Sequence, residues 1–290
     1  MSVSQKSKVI LITGCSSGFG LLMAARFSSC GHFVFATMRD LSKQKPLLDE
    51  LAKRNSAAKI LPLDVTDKLS IKDVISEILT TKGHIDVLIN NAGYGIGGSF
   101  EDLTEEEIRA QFETNFFGVQ NVTREVIPVM RQQRSGTIIN ISSVAGLYAL
   151  PSFGAYNASK WALEGFSESL FYELKPFGIR VSLIEPGTYP TTIFRENKRY
   201  AKNSFNSQSP YFPLSQFLDA RVKEYVDGLQ KDPEDIAKLA ERIINSKNPP
   251  LRNFPDIQSR GTYFLKRILP FRIFSGLLLK GLLQGFNRKA

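Results

Sequence analysis

Short, mostly apolar runs alternate with longer helical patterns along the first two thirds of the chain. The apolar runs lie at 8–13, 32–37, 59–63, 85–90, 136–142 and 180–184. Several lack the polar–apolar alternation of a half-exposed strand, which indicates a parallel sheet covered on both faces. The segments between them, at 18–30, 43–54, 69–81, 104–132 and 153–176, are long enough to be helical crossovers. The pattern predicts an α/β fold, with a doubly wound parallel sheet flanked by helices.

The composition excludes several classes of protein. A chain of 290 residues with 42% hydrophobic and 22% charged residues has enough apolar side chain for one large core. Its two cysteines, Cys15 and Cys30, cannot build a disulfide framework. Its two histidines, His32 and His84, are isolated in sequence, which argues against a zinc site and against a Ser-His-Asp triad. We expect no bound metal.

The alternating pattern stops after residue 184. Residues 185–214 are rich in Pro, Tyr, Phe, Asn and Ser, and helical patterning returns at 215–229 and 233–246. We therefore expect a single catalytic domain over 1–256, with a substrate loop and lobe at 186–230. The predicted apolar walls of its pocket, of which about half should touch ligand, are Leu147, Tyr148, Leu150, Phe153, Tyr189, Phe194, Tyr200, Phe205, Tyr211, Phe212 and Phe217.

The positive charge is concentrated in a C-terminal tail over 257–290. The chain carries a net charge of +9, and the tail holds seven basic and no acidic residues, which leaves +2 for the rest. Global charge therefore gives no reason to expect nucleic-acid binding. The tail reads as one or two amphipathic helices, and we favour packing over the substrate lobe, with contact to an anionic membrane as the alternative. No apolar run suits a signal peptide or a spanning helix, so we expect a cytoplasmic protein.

A glycine-rich loop joins the first strand to the first helix. Residues 13–20 read Thr-Gly-Cys-Ser-Ser-Gly-Phe-Gly, and the helix follows directly. Glycines let the backbone approach a pyrophosphate, and the helix start offers unpaired N–H groups. An ordinary tight strand-to-helix turn would explain the same residues.

A tyrosine and a lysine with helical spacing form a candidate acid–base pair. Tyr156 and Lys160 are four residues apart in the helix over 153–176 and therefore share a face. A neighbouring ammonium favours the phenolate, so the tyrosine could exchange a proton with a carbonyl or an alcohol. Ser143 ends a strand at the sheet edge where active groups gather. Taken singly, a Tyr-x-x-x-Lys pair is more often a surface helix pair, and a serine at the end of a strand is more often a helix cap.

These motifs occur together with others in a familiar order. Asp64-Val65 follows the third strand, residues 90–93 read Asn-Asn-Ala-Gly, Ser143 precedes Tyr156-x-x-x-Lys160, and Pro186-Gly187 follows the sixth strand. In this combination residues 8–191 resemble the short-chain dehydrogenase/reductase family, whose fold is of the Rossmann type. Residues 36–40, 93–95 and 249–252 look like the steroid and retinol dehydrogenase branch.

The resemblance implies roles for individual residues. Tyr156 exchanges the proton, Ser143 orients the substrate oxygen, Lys160 tunes Tyr156 and holds the ribose, and Asn115 holds a water that links the lysine to solvent. The residues implied to bind the cofactor are Gly14, Ser16, Ser17, Gly18, Phe19, Gly20, Arg39, Asp64, Val65, Asn91, Ala92, Gly93, Tyr156, Lys160, Pro186, Gly187 and Thr191. Asp64 could equally cap the next helix, and Asn91 could simply tie two strands together.

The residues at the end of the second strand indicate the nucleotide. NAD-preferring enzymes place an acidic side chain there, whereas this chain has Met38 followed by Arg39. An arginine can pair with a 2′-phosphate, so we expect NADP(H). The alternative is a solvated Arg39 paired with Asp40.

The leading hypothesis is an NADP(H)-dependent oxidoreductase that transfers a hydride between nicotinamide and a hydrophobic ketone or secondary alcohol of steroid, retinoid or other lipid type. The alternatives are a catalytically silent NADP(H)-binding regulator, a β-ketoacyl thioester reductase and a membrane-surface adaptor. The chain lacks the glycine-rich ending of β-ketoacyl carrier-protein reductases, which argues against the thioester. The resemblance also implies a homo-oligomer that associates through the helices carrying Asn115 and Tyr156.

Overall fold

A parallel sheet of seven strands forms the centre of the computed structural model, which describes residues 7–191 and 199–286. The strands of the chain are β1 (Val9–Ile12), β2 (Phe33–Met38), β3 (Lys59–Pro62), β4 (Val87–Asn90), β5 (Ile96–Gly97), β6 (Gly136–Ile141), β7 (Ile179–Ile184), β8 (Arg199–Tyr200) and β9 (Arg252–Asn253). The central sheet has the order β3-β2-β1-β4-β6-β7-β9, and β5 pairs with β8 in a separate two-stranded sheet. This is the predicted Rossmann-like, doubly wound architecture.

Helices cover both faces of the central sheet. They are α1 (Gly18–Ser29), α2 (Lys45–Lys53), α3 (Lys68–Lys82), α4 (Glu105–Phe112), α5 (Gly118–Gln133), α6 (Gly154–Leu174), α7 (Phe212–Asp227), α8 (Glu234–Asn245), α9 (Ile257–Ile268) and α10 (Phe271–Leu283).

The core lies in two layers, one on each face of the sheet. Ile10 and Ile12 of β1 belong to a cluster with α1 and α8, whereas Val9 and Leu11 belong to a second cluster with α3 and α5. Successive side chains of a strand point to opposite faces, which explains this division. Every residue of β1, β4 and β6 is buried, as the apolar runs predicted.

The single helix predicted over 104–132 was wrong in one respect, because the chain forms α4, a π-helical segment (Glu113–Phe117) and α5. In the π segment the Gly118 N–H donates to the Glu113 carbonyl, five residues back. A Cβ at Gly118 would lie 2.5 Å from Val65 Cγ2, so a glycine is needed for α5 to pack this closely. Single π-turns of this kind often accompany functional sites.

Three short strands were absent from the sequence-based prediction. β5, β8 and β9 have two residues each, too few to show a periodic pattern. β9 matters most for the site, because it extends the sheet beyond β7 through the pairing of Leu183 with Arg252.

The tail forms two helices, α9 and α10, as its amphipathic pattern predicted. Phe274 of α10 is buried, with its ring centroid 6.0 Å from that of Tyr148, and Lys266 Nζ of α9 donates to the Leu147 carbonyl at 2.7 Å. The tail therefore contacts the loop before α6. Among the helices described, none is both long enough and apolar enough to cross a membrane.

Candidate active site

The predicted functional residues gather at the carboxyl edge of the central sheet. β1 and β4 are adjacent in the sheet, and the strand order reverses between them. In open α/β sheets such a reversal opens a crevice where ligands bind. The segments that follow β1, β2, β3, β4, β6 and β7 carry the predicted residues apart from Asn115, which lies in the π segment, and Tyr156 and Lys160, which lie on α6. The fold brings all six segments to this edge.

The glycine loop after β1 is shaped by two close approaches. A Cβ at Gly14, which has φ of +75°, would lie 2.7 Å from Ala92 Cα, and a Cβ at Gly20 would lie 2.3 Å from the Gly14 carbonyl oxygen. Gly18, at φ +59°, has open space where a Cβ would stand. α1 begins at Gly18, and the side chain of its N-cap, Ser17, makes no capping hydrogen bond to it. Backbone N–H groups at this helix start suit an anion.

Asn91 holds the glycine loop against the segment after β4. Its side-chain amide donates to the carbonyls of Thr13 and Gly14, both at 2.9 Å, and its N–H donates to Thr13 Oγ1 at 3.0 Å. The interpretation that Asn91 ties two strands together is therefore confirmed. The same hydrogen bonds hold the glycine loop, where the cofactor is predicted to bind, in a fixed position beside residues 91–93.

Arg39 and Asp64 lie together at the ends of β2 and β3. Arg39 Nη1 is 3.9 Å from Asp64 Oδ2, and the arginine side chain is 69% exposed. Asp40 instead accepts hydrogen bonds from Ser42, at the start of a short 3₁₀ turn, so the pairing of Arg39 with Asp40 is not what the structure shows. The capping interpretation of Asp64 was also wrong, since Asp67 caps α3 by accepting from Leu69 N–H.

Tyr156, Ser143 and Lys160 form the centre of the candidate site. The Ser143 hydroxyl donates to the Pro186 carbonyl at 3.4 Å and accepts the Ala145 N–H at 3.1 Å, and its interaction with the Tyr156 phenol lowers the pKa of that group. Ser143 is thus both a helix cap and a partner of the tyrosine. Lys160 Nζ lies 5.9 Å from the Tyr156 ring centroid and donates to the Ile141 carbonyl at 2.8 Å.

Burial determines the protonation states of Tyr156 and Lys160. It raises the pKa of the Tyr156 phenol above its usual value, while the Ser143 hydrogen bond opposes that shift. Burial lowers the pKa of the Lys160 ammonium to about 8, and the nearby Glu164 carboxylate opposes that shift. At neutral pH the tyrosine therefore holds its proton, as a proton donor requires, and the lysine is mainly cationic.

Asn115 lies within the π segment and is fully buried. Its Nδ2 donates to the Tyr94 carbonyl at 2.8 Å and to Ser159 Oγ at 3.3 Å, and its Oδ1 accepts the Tyr94 N–H at 3.1 Å. Through these bonds Asn115 fixes the loop after β4 beside α6. A Cβ at Gly95 in that loop would lie 3.5 Å from the Tyr156 ring.

The segment after β7 packs against the beginning of the tail. Pro186 accepts the Val144 N–H at 3.0 Å, and a Cβ at Gly187 would lie 2.7 Å from Ser259 Oγ of α9. Thr191 is buried, and its N–H donates to the Tyr189 carbonyl at 2.7 Å. Pro186, Gly187 and Thr191 thus belong to one packed segment that follows the end of β7.

Tyr189 was wrongly assigned to the wall of the substrate pocket. Its side chain is 1% exposed in the core beside α1, packs edge-on against Phe19 at 5.7 Å between ring centroids, and donates to Asp256 Oδ2 at 3.2 Å. Phe194, another predicted wall residue, lies outside the described residues.

Sequence reasoning missed two residues that support the site. Tyr94 supplies the backbone groups that Asn115 binds, and Ser159 completes that network by donating to the Tyr156 carbonyl at 2.8 Å. In the sequence, Tyr94 and Gly95 stand out only as part of the pattern at 93–95 that looks like the steroid and retinol dehydrogenase branch. Ser159 has no sequence signal beyond lying next to Lys160.

The donor groups present fit a dinucleotide. The open space at Gly18, the side-chain-uncapped start of α1 and the exposed Arg39 guanidinium are suited to phosphate groups. By contrast, the described residues gather no group of three or more His, Cys, Asp or Glu side chains suited to a metal ion.

The comparisons with known proteins agree with this architecture. The chain matches the family described as short chain dehydrogenase over residues 8–202 and belongs to it. It is 40% identical over 245 residues to a 3-ketodihydrosphingosine reductase of Bacteroides thetaiotaomicron, covering 84% of this chain and 86% of the relative. It is 35% identical over 270 residues to retinol dehydrogenase 8 of Homo sapiens, covering 90% and 85%. These relatives support the retinol-dehydrogenase-like branch.

Solved structures share the fold. A short-chain dehydrogenase from Streptomyces avermitilis superposes with a TM-score of 0.77 at 32% identity, covering 97% of this chain and all of the other. A similar structure from Burkholderia phymatum was solved with NAD (TM-score 0.79, 27% identity, 90% and 93% covered), and a metagenomic one with NADP (0.67, 26%, 88% and 100%). The family binds a nicotinamide cofactor, and both nucleotides occur among these neighbours.

Proposed function

We propose that this oxidoreductase uses NADPH to reduce a long-chain hydrophobic ketone to the secondary alcohol, reversibly. The observation that carries the proposal is the Ser143–Tyr156–Lys160 cluster at the carboxyl edge of the sheet. The cluster provides a protonated phenol, a hydroxyl and an ammonium within one crevice. A silent regulator would not need all three reactive groups.

Each side chain has a distinct part in the reaction. The bound nicotinamide supplies the hydride that the carbonyl carbon accepts. Tyr156 gives its hydroxyl proton to the carbonyl oxygen, and Ser143 hydrogen-bonds that oxygen as negative charge develops on it. Lys160 stabilises the resulting phenolate until a proton returns from solvent, by way of a water beside Asn115.

The nucleotide preference rests on the end of β2. Met38 is 2% exposed and carries no charge, and the next acidic side chain, Asp40, is engaged with Ser42. The acidic group that receives a ribose 2′-hydroxyl in NAD enzymes is therefore missing from this strand end, whereas Arg39 is exposed. These contacts favour the 2′-phosphate of NADPH. The glycine loop, Asp64, Val65 and residues 91–93 would hold the rest of the nucleotide.

An apolar surface beside Tyr156 suits a lipid-like ketone. Phe153 packs edge-on against Tyr156 at 6.5 Å between ring centroids, and Tyr148 lies in the same loop under Phe274 of the tail. The similarity to a 3-ketodihydrosphingosine reductase and to a retinol dehydrogenase makes a long-chain amino ketone and retinal the first substrates to test.

The test is oxidation of NADPH, followed by absorbance, with 3-ketodihydrosphingosine, retinal, a steroid ketone and a short β-ketoacyl thioester. Tyr156→Phe is expected to lower kcat about 100- to 10,000-fold while NADPH still binds. Tyr172→Phe is the matched control, since this tyrosine lies on the same helix with a 63% exposed side chain. Full activity of Tyr156→Phe would refute the mechanism. Tight NADPH binding with no turnover of any ketone would favour a regulator, and turnover of the thioester alone would favour that substrate class.

We also propose that the tail contacts an anionic membrane, from which an apolar substrate is drawn. Its large apolar side chains that are exposed in the structure are Ile257, Phe264, Leu265, Ile268, Phe271, Ile273, Leu277 and Leu279. Basic residues are interleaved with them and the tail has no acidic residue, so the charge complements anionic lipid.

Co-sedimentation with vesicles tests the membrane contact. The protein is expected to pellet with anionic but not with neutral vesicles at low salt, and less so after Ile268→Ser with Phe271→Ser. Leu69→Ser is the matched control, because Leu69 is 71% exposed on α3, outside the tail. No pelleting at low salt would refute the contact, and self-association lost in the tail variant would assign the face to a second copy.

Two further expectations complete the proposal. The protein works in the cytoplasm, at the membrane surface, and forms a homo-oligomer through α4–α6. Phe117, at the end of the π segment between α4 and α5, is a large exposed side chain that such an interface would cover. Light scattering during size-exclusion chromatography distinguishes a monomer from an oligomer.

A further inference from the structure

A fully buried carboxyl group lies beneath the candidate site. Glu185 follows β7 and directly precedes Pro186, and its relative exposure is 0%. Among the described residues neither of its carboxyl oxygens has a hydrogen-bond partner. Its ion-pair contact is with Arg252 of β9, whose Nε lies 3.6 Å from Oε1. An ionised carboxylate is costly to bury under these conditions, and such a group takes up a proton instead.

A second buried carboxyl group faces the same arginine. Glu164 lies one helical turn after Lys160 on α6 and is 4% exposed. Its Oε1 accepts the Ser142 hydroxyl at 2.6 Å, and its Oε2 lies 3.3 Å from Arg252 Nε. Among the described residues Arg252 Nε forms no hydrogen bond with either carboxyl group, and its single N–H could serve only one of them. The same guanidinium also donates to Glu168, through Nη2 at 2.9 Å.

The charges balance when one of the carboxyl groups is neutral. Glu164, Glu168 and Lys160 come from α6, Glu185 from the end of β7 and Arg252 from β9. Three carboxylates against two cations would leave a net negative charge in a largely buried cluster. Glu164 has a hydroxyl donor and Glu168 reaches solvent, with 42% of its side chain exposed. Glu185 has neither, so it is the group that should hold the proton.

We propose that Glu185 is a neutral carboxylic acid at neutral pH and that Glu164 is the buried counter-charge that keeps Lys160 protonated. Both act as positioning residues, through Arg252 and Lys160, and the role of Glu164 rests on the proposed function of Lys160. Burial raises the pKa of both carboxyl groups, and repulsion by Glu164 raises that of Glu185 further. Ser142, Arg252 and Lys160 oppose the shift in the pKa of Glu164, so Glu164 is the more readily ionised of the two. Glu164 stands one helical turn from Lys160 on α6, while Lys160 Nζ donates to the Ile141 carbonyl at 2.8 Å.

The state of Glu185 is tested without any enzymatic activity. A carboxyl group whose pKa is raised on folding stabilises the protein at low pH, and this contribution is lost as the pH rises toward the folded-state pKa. Glu185→Gln mimics the neutral acid and does not ionise. Its Tm relative to wild type is therefore expected to increase steadily between about pH 5 and pH 9. Tm curves of the two proteins that run parallel across this range would overturn the assignment.

An infrared spectrum provides a direct check on the same group. The wild type at neutral pH is expected to show a C=O stretching band of an un-ionised carboxylic acid that Glu185→Gln lacks. Spectra of wild type and Glu185→Gln that do not differ in this band would overturn the proposal. Both measurements remain informative even if no ketone is turned over.

The role of Glu164 is tested by the pH profile of kcat/KM. Glu164→Gln removes the charge that opposes deprotonation of Lys160, so the high-pH limb is expected to move about one unit toward lower pH. Glu168→Gln is the matched control, because it removes a glutamate from the same helix and the same arginine, and it should leave the limb in place. A purely structural role would lower activity at every pH without moving the limb. An unmoved limb in Glu164→Gln, or an equal shift in Glu168→Gln, would overturn the counter-charge role.

Discussion

Arg39 offers a direct test of the proposed nucleotide preference. Arg39→Ala removes a guanidinium that is 69% exposed and whose ion-pair partner, Asp64, is 3.9 Å away. A hydrogen bond between charged groups contributes about 1.5–3 kcal/mol. Because an exposed group lies toward the lower part of that range, we expect a loss of about 1.5–2 kcal/mol, which is about tenfold to thirtyfold in Kd for NADPH.

Charge reversal should enlarge the effect. In Arg39→Glu the new carboxylate repels the 2′-phosphate, and two unit charges 4 Å apart in water interact by about 1 kcal/mol. This adds about a further fivefold loss in NADPH affinity. NADH lacks the phosphate, so its Kd should change little in either variant.

Nucleotide fluorescence titrations with NADPH and NADH measure both values on the same protein. Lys43→Ala is the matched control, since Lys43 is an exposed cation close in sequence, at the end of the 3₁₀ turn after β2. Equal weakening of NADPH and NADH binding by Arg39→Ala would refute the reasoning, as would the same selective loss in Lys43→Ala.

Three further outcomes follow from the site and the tail. Since the pKa of Lys160 is lowered to about 8, reductive kcat/KM should fall as the pH rises through that value, and a profile flat to about pH 9.5 would contradict this role. Phe274→Ala should weaken tail docking by about 3 kcal/mol and expose the tail to limited proteolysis, whereas Phe271→Ala, at a 77% exposed position, should not. Gly20→Ala places a Cβ 2.3 Å from the Gly14 carbonyl oxygen, so it should lower the free energy of unfolding by about 1–3 kcal/mol. The same substitution should weaken NADPH binding in titrations, and an unchanged Kd for NADPH would contradict the tight packing of the glycine loop.

The sequence was sufficient for the elements that are long and periodic. The segments 8–13 and 136–142 are mostly apolar, and they contain the fully buried strands β1 and β6 in the centre of the sheet. The candidate catalytic cluster could also be predicted from the sequence, because Tyr156 and Lys160 are related by helical spacing and Ser143 ends a strand at the edge of the sheet where ligands bind.

Features that depend on contacts distant in sequence could not be found in this way. The π segment Glu113–Phe117 leaves the 3.6-residue periodicity of the sequence almost intact, so the sequence predicts one unbroken helix. Gly118 is the one sequence feature that indicates the close packing of α5 against Val65. Arg252 looked like part of a branch signature, and its role as the shared partner of buried glutamates required the pairing of β9 with β7. Tyr189 is an aromatic residue in the predicted substrate loop, which suggests a pocket residue, but its hydroxyl donates to Asp256, 67 residues further along the chain.

The N-cap of α9 connects the tail to the turn after β7. Asp256 caps α9 by accepting the Ser259 N–H at 2.8 Å, accepts the Tyr189 hydroxyl and lies 3.2 Å from Lys231, while Ser259 packs against Gly187. A displacement of α9 therefore also disturbs the segment after β7, whose Pro186, Gly187 and Thr191 the family resemblance implies in cofactor binding. If the proposed lipid contact at the tail and NADPH binding are coupled in this way, thermodynamic linkage requires reciprocity: the factor by which lipid changes the affinity for NADPH equals the factor by which NADPH changes the affinity for lipid.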